Sequence, residues 1–188
     1  SAIHAVNGCD DTGRTRQILK QCGIWDRIHF LQPNELFRLL GPSTDLTFPQ
    51  KNIRDYKLLL QKQFPAEVEG LDKAFHLMET LFSALKNADS QAAVASMWKY
   101  KDLTLQNFLD DCFKDRALKA TFAQYWSYLG APPSQLSALH YFYTLWDYAG
   151  NGAYYPEGGS EHVAKELAAE IQSNNGQVVF GAEVNRLI

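Results

Sequence analysis

Apolar residues recur at alternating spacings of three and four at Val68, Leu71, Phe75, Met78, Phe82 and Leu85. This period predicts an amphipathic helix whose stripe faces a core. The helical pattern extends from Asn52 to Tyr148, with further helices over Leu105 to Cys112, Arg116 to Leu129 ended by Gly130, and Ser134 to Tyr148 behind Pro132 and Pro133. Upstream, "RTRQILKQCG" reads as a short helix with Asp11 or Thr12 as N-cap, closed by Lys20 and Gly23. "IHFLQPNELFRLLGPSTDLTFP" then breaks into short apolar runs around Pro33, Gly41, Pro42 and Pro49, which predicts two or three strands. Downstream, "GAYYP" reads as a strand. "SEHVAKELAAEIQSNNG" is a helix with Val163, Leu167 and Ile171 on one face, and "QVVFGAEV" is a strand bent at Gly181. Together these make a β-α-β segment. The expected fold is α+β, in one fragment with a mixed segment over 1–50, a helical lobe over 51–149 and the strand-helix-strand segment over 150–188.

Composition narrows the picture. A chain of 188 residues, 46% hydrophobic and 13% aromatic, can bury one substantial core. The net charge of -3 leaves no basic surplus for neutralising phosphates, so no nucleic-acid partner is expected. Cys9, Cys22 and Cys112 lack C-x-x-C spacing, which argues against a disulfide framework or a zinc site and for a reducing, cytoplasmic setting. No Asp, Glu, Lys or Arg occurs from Ala120 to Trp146, but Gly130, Pro132 and Pro133 interrupt that stretch and make it a poor membrane span. The chain opens without Met and stops in the apolar "EVNRLI", so it is expected to be a piece of a longer protein.

Several familiar chemistries are absent. "DDTG" at 10–13 contains the Asp-Thr-Gly of aspartic proteases, but its flanks, "NGC" and "RTRQ", are not the apolar strand those enzymes need; it reads as a turn and helix cap. His4, His29, His76, His140 and His162 show no metal-ligand spacing, so no metal is expected. His76 lies off its helix's apolar stripe, and His162 falls in the first turn of its helix, where a surface position is expected. His4, in the apolar "AIHAV" before Asn7 and Gly8, is retained as a site candidate. Asp10 with Asp11 and Asp110 with Asp111 are sequence neighbours, which do not face each other on a helix or strand. No catalytic residue can be assigned.

Two features remain. Ten aromatic residues crowd positions 125–155, where they can build ordinary core or the wall of an apolar ligand pocket. The pocket candidates are Tyr125, Trp126, Tyr143, Trp146, Tyr154 and Tyr155. Gly158 and Gly159 directly precede a helix. They allow a sharp strand-to-helix turn with Ser160 or Gly159 as N-cap, or close approach of another group to the helix N-terminus.

Residues 154–188, "YYPEGGSEHVAKELAAEIQSNNGQVVFGAEVNRLI", resemble a pattern found in the flavoprotein superfamily of phytoene desaturases, carotenoid isomerases and retinol saturases: P-x-G-G, a helix, Gly-x-Val, then a Val followed by an Ile. Pro156, Gly158, Gly159, Gly176, Val178, Val184 and Ile188 occupy the motif positions, and Asn175 stands where that family often has a first glycine. "SAIHAVNG" is similar to the segment that closes the first FAD-domain block in these enzymes, and "ILKQCGIWDRIHF" to the helix that follows it.

This resemblance implies that the chain is the substrate-binding portion of an FAD-dependent oxidoreductase acting on a lipophilic polyene or isoprenoid by desaturation, saturation or isomerisation. It further implies FAD in the longer protein and none in this piece, which alone would be inactive. His4, Asn7, Gly8, Pro156, Gly158 and Gly159 would lie near the cofactor, and the uncharged stretch would allow peripheral membrane contact. Two alternatives stay open: a helical binding module without catalysis, and part of an amine-oxidase-type flavoenzyme with an aromatic cage.

Overall fold

The computed structural model describes residues 5–41, 44–86 and 91–186. In chain order its elements are α1 (Arg14–Gln21), β1 (Phe30–Leu31), β2 (Glu35–Gly41), β3 (Thr44–Pro49), α2 (Ile53–Gln63), α3 (Val68–Lys86), α4 (Gln91–Lys99), α5 (Leu105–Cys112), α6 (Arg116–Phe122), α7 (Ala138–Trp146), β4 (Tyr155–Pro156) and α8 (Ser160–Ser173). The fold is α+β: mainly helical, with two antiparallel two-stranded sheets, β1 with β4 and β2 with β3. Two compact units result. One is continuous, Asn34–Gly152; the other combines the chain ends, Ser1–Pro33 and Ala153–Ile188.

The continuous unit is built on rings and aliphatic side chains. Leu71, Phe75, Met78 and Phe82 of the predicted stripe are buried, whereas Val68, at its start, is 39% exposed. Phe122 forms a hub against Phe75, Phe108, Phe113 and Tyr141, with ring centroids 5.2–6.2 Å apart. Side-chain caps place the helix starts: Asn52 accepts from the Asp55 N–H, Thr104 from Asn107, and Asp115 from Ala117 and Leu118. The buried Glu67 carboxylate accepts from the backbone N–H groups of Lys114 and Asp115 and so ties the start of α3 to the start of α6. Gly70 lies against the end of α5; a Cβ there would sit 2.1 Å from the Cys112 carbonyl oxygen.

Two predicted helices are shorter than their sequence pattern. The run from Arg116 gives way at Ala123 to a 3-10 segment, Gln124–Leu129, ended by left-handed Gly130. α7 begins at Ala138 rather than Ser134. The Leu136 carbonyl accepts from the Leu105 N–H and the Ala138 N–H donates to Leu103, so this backbone is engaged across to the start of α5 before helix can form.

In the other unit, α1 and α8 enclose a small core of Leu19, Ile24 and Ile28, joined by Trp25, Phe30, Val163 and Leu167. The N-cap of α1 is Gly13, not Asp11 or Thr12. Asp10 instead accepts from the backbone and hydroxyl of Thr12 in a local turn, and a Cβ on Gly13 would lie 2.1 Å from the Gly8 carbonyl oxygen.

The expected β-α-β segment is corrected in two respects. β4 pairs antiparallel with β1, and the segment after α8 forms no strand among the described residues. A strand exists through its ladder, and nothing pairs with 177–184 here: Val179 is 66% exposed, Phe180 84% and Val184 76%. The bend at Gly181 is present, with φ +68°. Asn175 at the end of α8 has φ +61°, the conformation that a glycine there would adopt freely. Gly176 is fixed by crowding, since a Cβ would lie 2.6 Å from Ile171 Cγ2.

Candidate functional site

The segment 154–162 is held from both sides. Val6 and Tyr154 exchange backbone hydrogen bonds of 2.7 and 2.8 Å, Pro156 is in register with Phe30, and the Glu157 N–H donates to the His29 carbonyl at 2.8 Å. The chain then reverses: the Gly159 N–H donates to the Pro156 carbonyl at 2.9 Å, with φ +82° at Gly158 and +86° at Gly159. Side chains rarely tolerate that region. Space is not the constraint, because an added Cβ would lie 3.6 Å from His162 Cβ at Gly158 and 3.6 Å from the Tyr155 hydroxyl at Gly159. The two glycines are therefore demanded by the backbone of the turn, and Gly159 is the N-cap of α8.

A surface cleft of about 380 Å³ opens beside this turn, lined by Arg27, His29, Glu157, Gly158, Glu161, His162 and Lys165. Its walls are ionic. Arg27 donates to Glu170 and lies 3.8 Å from Glu166, Lys165 pairs with Glu161 at 2.9 Å, and His29 Nδ1 lies 3.0 Å from Glu157. His162 places Nε2 3.3 Å from the Arg27 carbonyl and Nδ1 4.0 Å from Glu166. The Arg27 guanidinium, helped by the Asn174 amide, holds the Glu170 carboxyl below its ordinary range. Each cation has a carboxylate within the chain, and no group of three metal-ligating side chains occurs among the described residues.

The cofactor candidates divide between a well-placed turn and residues accounted for by folding. His4 lies outside the described residues. Gly8 has φ +67°, and its carbonyl accepts from the Arg16 N–H at 2.9 Å; Asn7 precedes it, half-buried. The Val6–Tyr154 bridge brings the segment 6–8 and the turn at 156–159 into one unit. Pro156 is buried in the strand pair. The three cysteines are free thiols, and burial pushes that of Cys9 up to about 12.

The aromatic candidates fall in both units. Tyr154 is buried and Tyr155 38% exposed in the unit made of the chain ends. In the continuous unit, Tyr125 stacks on Tyr148 at 6.0 Å and meets Phe37 edge-on at 5.4 Å. Tyr143 and Trp146 both lie against Phe82, at 5.9 and 5.5 Å, and Trp126 is 41% exposed. Burial raises the phenols of Tyr125, Tyr141 and Tyr148, and Tyr141 donates to the Phe122 carbonyl. Sequence reasoning missed Arg27, His29, Glu157, Glu161 and Lys165 as neighbours and left His162 at the surface. Two local signals were present: Glu166 four residues after His162, and Lys165 four residues after Glu161 on the same helix.

No established family model matches the chain. In an alignment of 177 positions that covers 87% of its length, the chain is 24% identical to the 4,4'-diapophytoene desaturase (4,4'-diapolycopene-forming) of Methylomonas sp. The chain is distantly similar to a carotenoid desaturase. It spans about a third of that relative's length, 34%. Among the described residues, no helix is long and apolar enough to cross a membrane.

Proposed function

We propose that the chain is the substrate-binding portion of an FAD-dependent oxidoreductase that desaturates, saturates or isomerises a long lipophilic polyene. The observation that carries this reading is the reach of the similarity: 87% of the chain, and so residues of both units, aligns with a protein named for polyene desaturation. The order of the units along the chain supports it, because a helical body rich in buried rings is inserted between two segments that fold together. When bound, the flavin supplies hydride chemistry, and segments of the longer protein outside this chain hold it. The residues of this chain orient an apolar substrate and exclude water.

Peripheral membrane contact belongs to the same reading. Trp126 and Tyr128, 41% and 54% exposed, lie in the uncharged stretch from Ala120 to Trp146. Aromatic side chains with polar tips suit a membrane surface. Replacing both with Ser is expected to reduce partitioning onto liposomes; unchanged partitioning removes this surface from consideration.

The deciding experiment purifies the full-length protein, records its visible spectrum and supplies it with polyenes and amines. Flavin absorption with polyene turnover upholds the reading. A protein that cannot be reconstituted with FAD leaves a helical binding module, and turnover of amines alone favours an amine oxidase.

A further inference from the structure

The dipeptide Asn-Gly occurs three times in the chain, at 7–8, 151–152 and 175–176. Asparagine is a chemically labile residue, and a glycine after it removes the side chain that would hinder the following backbone nitrogen from reaching the asparagine Cγ. The fold treats the three pairs differently. Asn7 and Gly8 are half-buried, and a Cβ on Gly8 would lie 3.2 Å from the Thr15 backbone nitrogen, so α1 walls the pair in. The Asn151 amide donates to the Asp147 carboxylate at 2.6 Å, and Gly152 is buried with its N–H on the Asp147 carbonyl at 3.2 Å. Asn175 and Gly176 are both exposed, just beyond the end of α8. Among the described residues the Asn175 side chain makes no hydrogen bond, whereas the neighbouring Asn174 amide is held by the Glu170 carbonyl and carboxylate at 2.9 and 2.8 Å. One restraint acts on the exposed pair: the Gly176 N–H donates to the Ile171 carbonyl at 2.8 Å.

We propose that Asn175 and Gly176 form a site of spontaneous covalent modification, gated by fraying of the last turn of α8. The Gly176 nitrogen attacks Asn175 Cγ and gives up its proton. A C–N bond forms, the Cγ–Nδ2 bond breaks, and ammonia leaves with that proton, which closes a five-membered succinimide. Water then adds to one of the two ring carbonyls and opens the ring to aspartate or isoaspartate. The nucleophile is occupied while its N–H rests on Ile171, so the reaction waits for that bond to open. Opening is easy here, because α8 has no fully buried residue and its last residues are exposed. The products do not fit the place they came from. Isoaspartate lengthens the main chain by one carbon before Gly176, yet a single Cβ on Gly176 would already lie 2.6 Å from Ile171 Cγ2. Either product also puts a carboxylate at the helix C-terminus, where the dipole disfavours negative charge. The end of α8 is thereby loosened in one direction only, at a rate set by how often it opens. The inference is independent of the polyene reading.

The test ages the full-length protein at neutral and at mildly alkaline pH and maps its peptides by mass spectrometry, with fragmentation to separate isoaspartate from aspartate. The peptide bearing Asn175 is expected to convert about tenfold faster than those bearing Asn7 and Asn151, and faster still in alkali, which deprotonates the attacking nitrogen. Arg27→Met removes a partner of Glu170 and so loosens α8; it should speed conversion at Asn175 about threefold. Should that variant not fold, Glu170→Gln takes its place. Ageing should also lower the exchange protection of α8 and leave that of α3 alone. Asn175→Gly, which suits the φ of +61°, should keep α8 protected through the same ageing. No conversion at Asn175, or conversion no faster than at the other two pairs, overturns the site. A rate that the loosened variant leaves unchanged overturns the gate, and equal loss of α8 protection in Asn175→Gly overturns the structural consequence.

Discussion

Around Phe122 the chain packs ring against ring, and its polar groups are few and directed: Glu67 toward two backbone N–H groups, Tyr141 toward one carbonyl. Around Gly158 it packs charge beside charge over a core of three buried side chains, and α8 has no fully buried residue. The first arrangement draws on apolar burial, which salt does not screen and which scales with area. The second draws on half-exposed ion pairs, each contributing little and screened by salt. Two levels of local stability should follow, with segments 14–31 and 160–173 opening before α3, α5 and α7.

Hydrogen exchange resolved by segment offers the sharpest contrast. Phe122→Ala removes the hub ring and is expected to cost about 4 kcal/mol, read as faster exchange throughout α3, α5 and α7. An effect confined to α6 would mean the rings do not act as one core. Next in size, Glu67→Ala leaves two N–H groups without their acceptor at a cost of about 2 kcal/mol, and Glu67→Gln should recover part of it. Gly158→Ala puts a side chain at φ +82° and should cost roughly 1–2 kcal/mol, felt in α8 and not in α3; no loss would show that the turn relaxes.

The smallest effect is electrostatic. The Glu170 carboxyl is held below its ordinary value of 4.5 in the folded chain, so its contribution is present above that value and is lost as pH falls through the lower folded one. Protection of α8 against exchange, corrected for the slower chemical exchange in acid, should therefore fall below pH 4.5, and Arg27→Met should flatten that fall. An acid response equal in α3 and α8 would erase the distinction between the units.

Much of the ring-packed unit was legible in the sequence, because period and cap are local signals. The stripe from Leu71 to Phe82 and the start of α5 after Thr104 depend on residues within one or two turns. Gly70 gave no such signal: its role comes from the Cys112 carbonyl of another helix. The ionic cleft was harder still. Arg27 meets Glu166 and Glu170, and His29 meets Glu157, across more than a hundred residues of chain, and surface charges carry no periodicity to pair them. Gly158 and Gly159 could be read as a turn before a helix, but not which of turn geometry or close approach required them. The unformed strand at 177–184 had the right composition; composition specifies a pleat without specifying what pairs with it.

The antiparallel pairing of β1 with β4 also imposes a schedule on synthesis. Phe30 and Leu31 leave the ribosome well before their partners Pro156 and Tyr155 exist, a wait on the order of ten seconds for about 120 residues at ordinary translation rates. During that interval the nascent amino-terminal segment has no carboxy-terminal half to close upon, while residues 34–152 can complete their own core. A growing chain released early, after α7 but before Tyr154, would thus carry a finished helical body and an open strand, the kind of edge that chaperones hold and aggregates recruit.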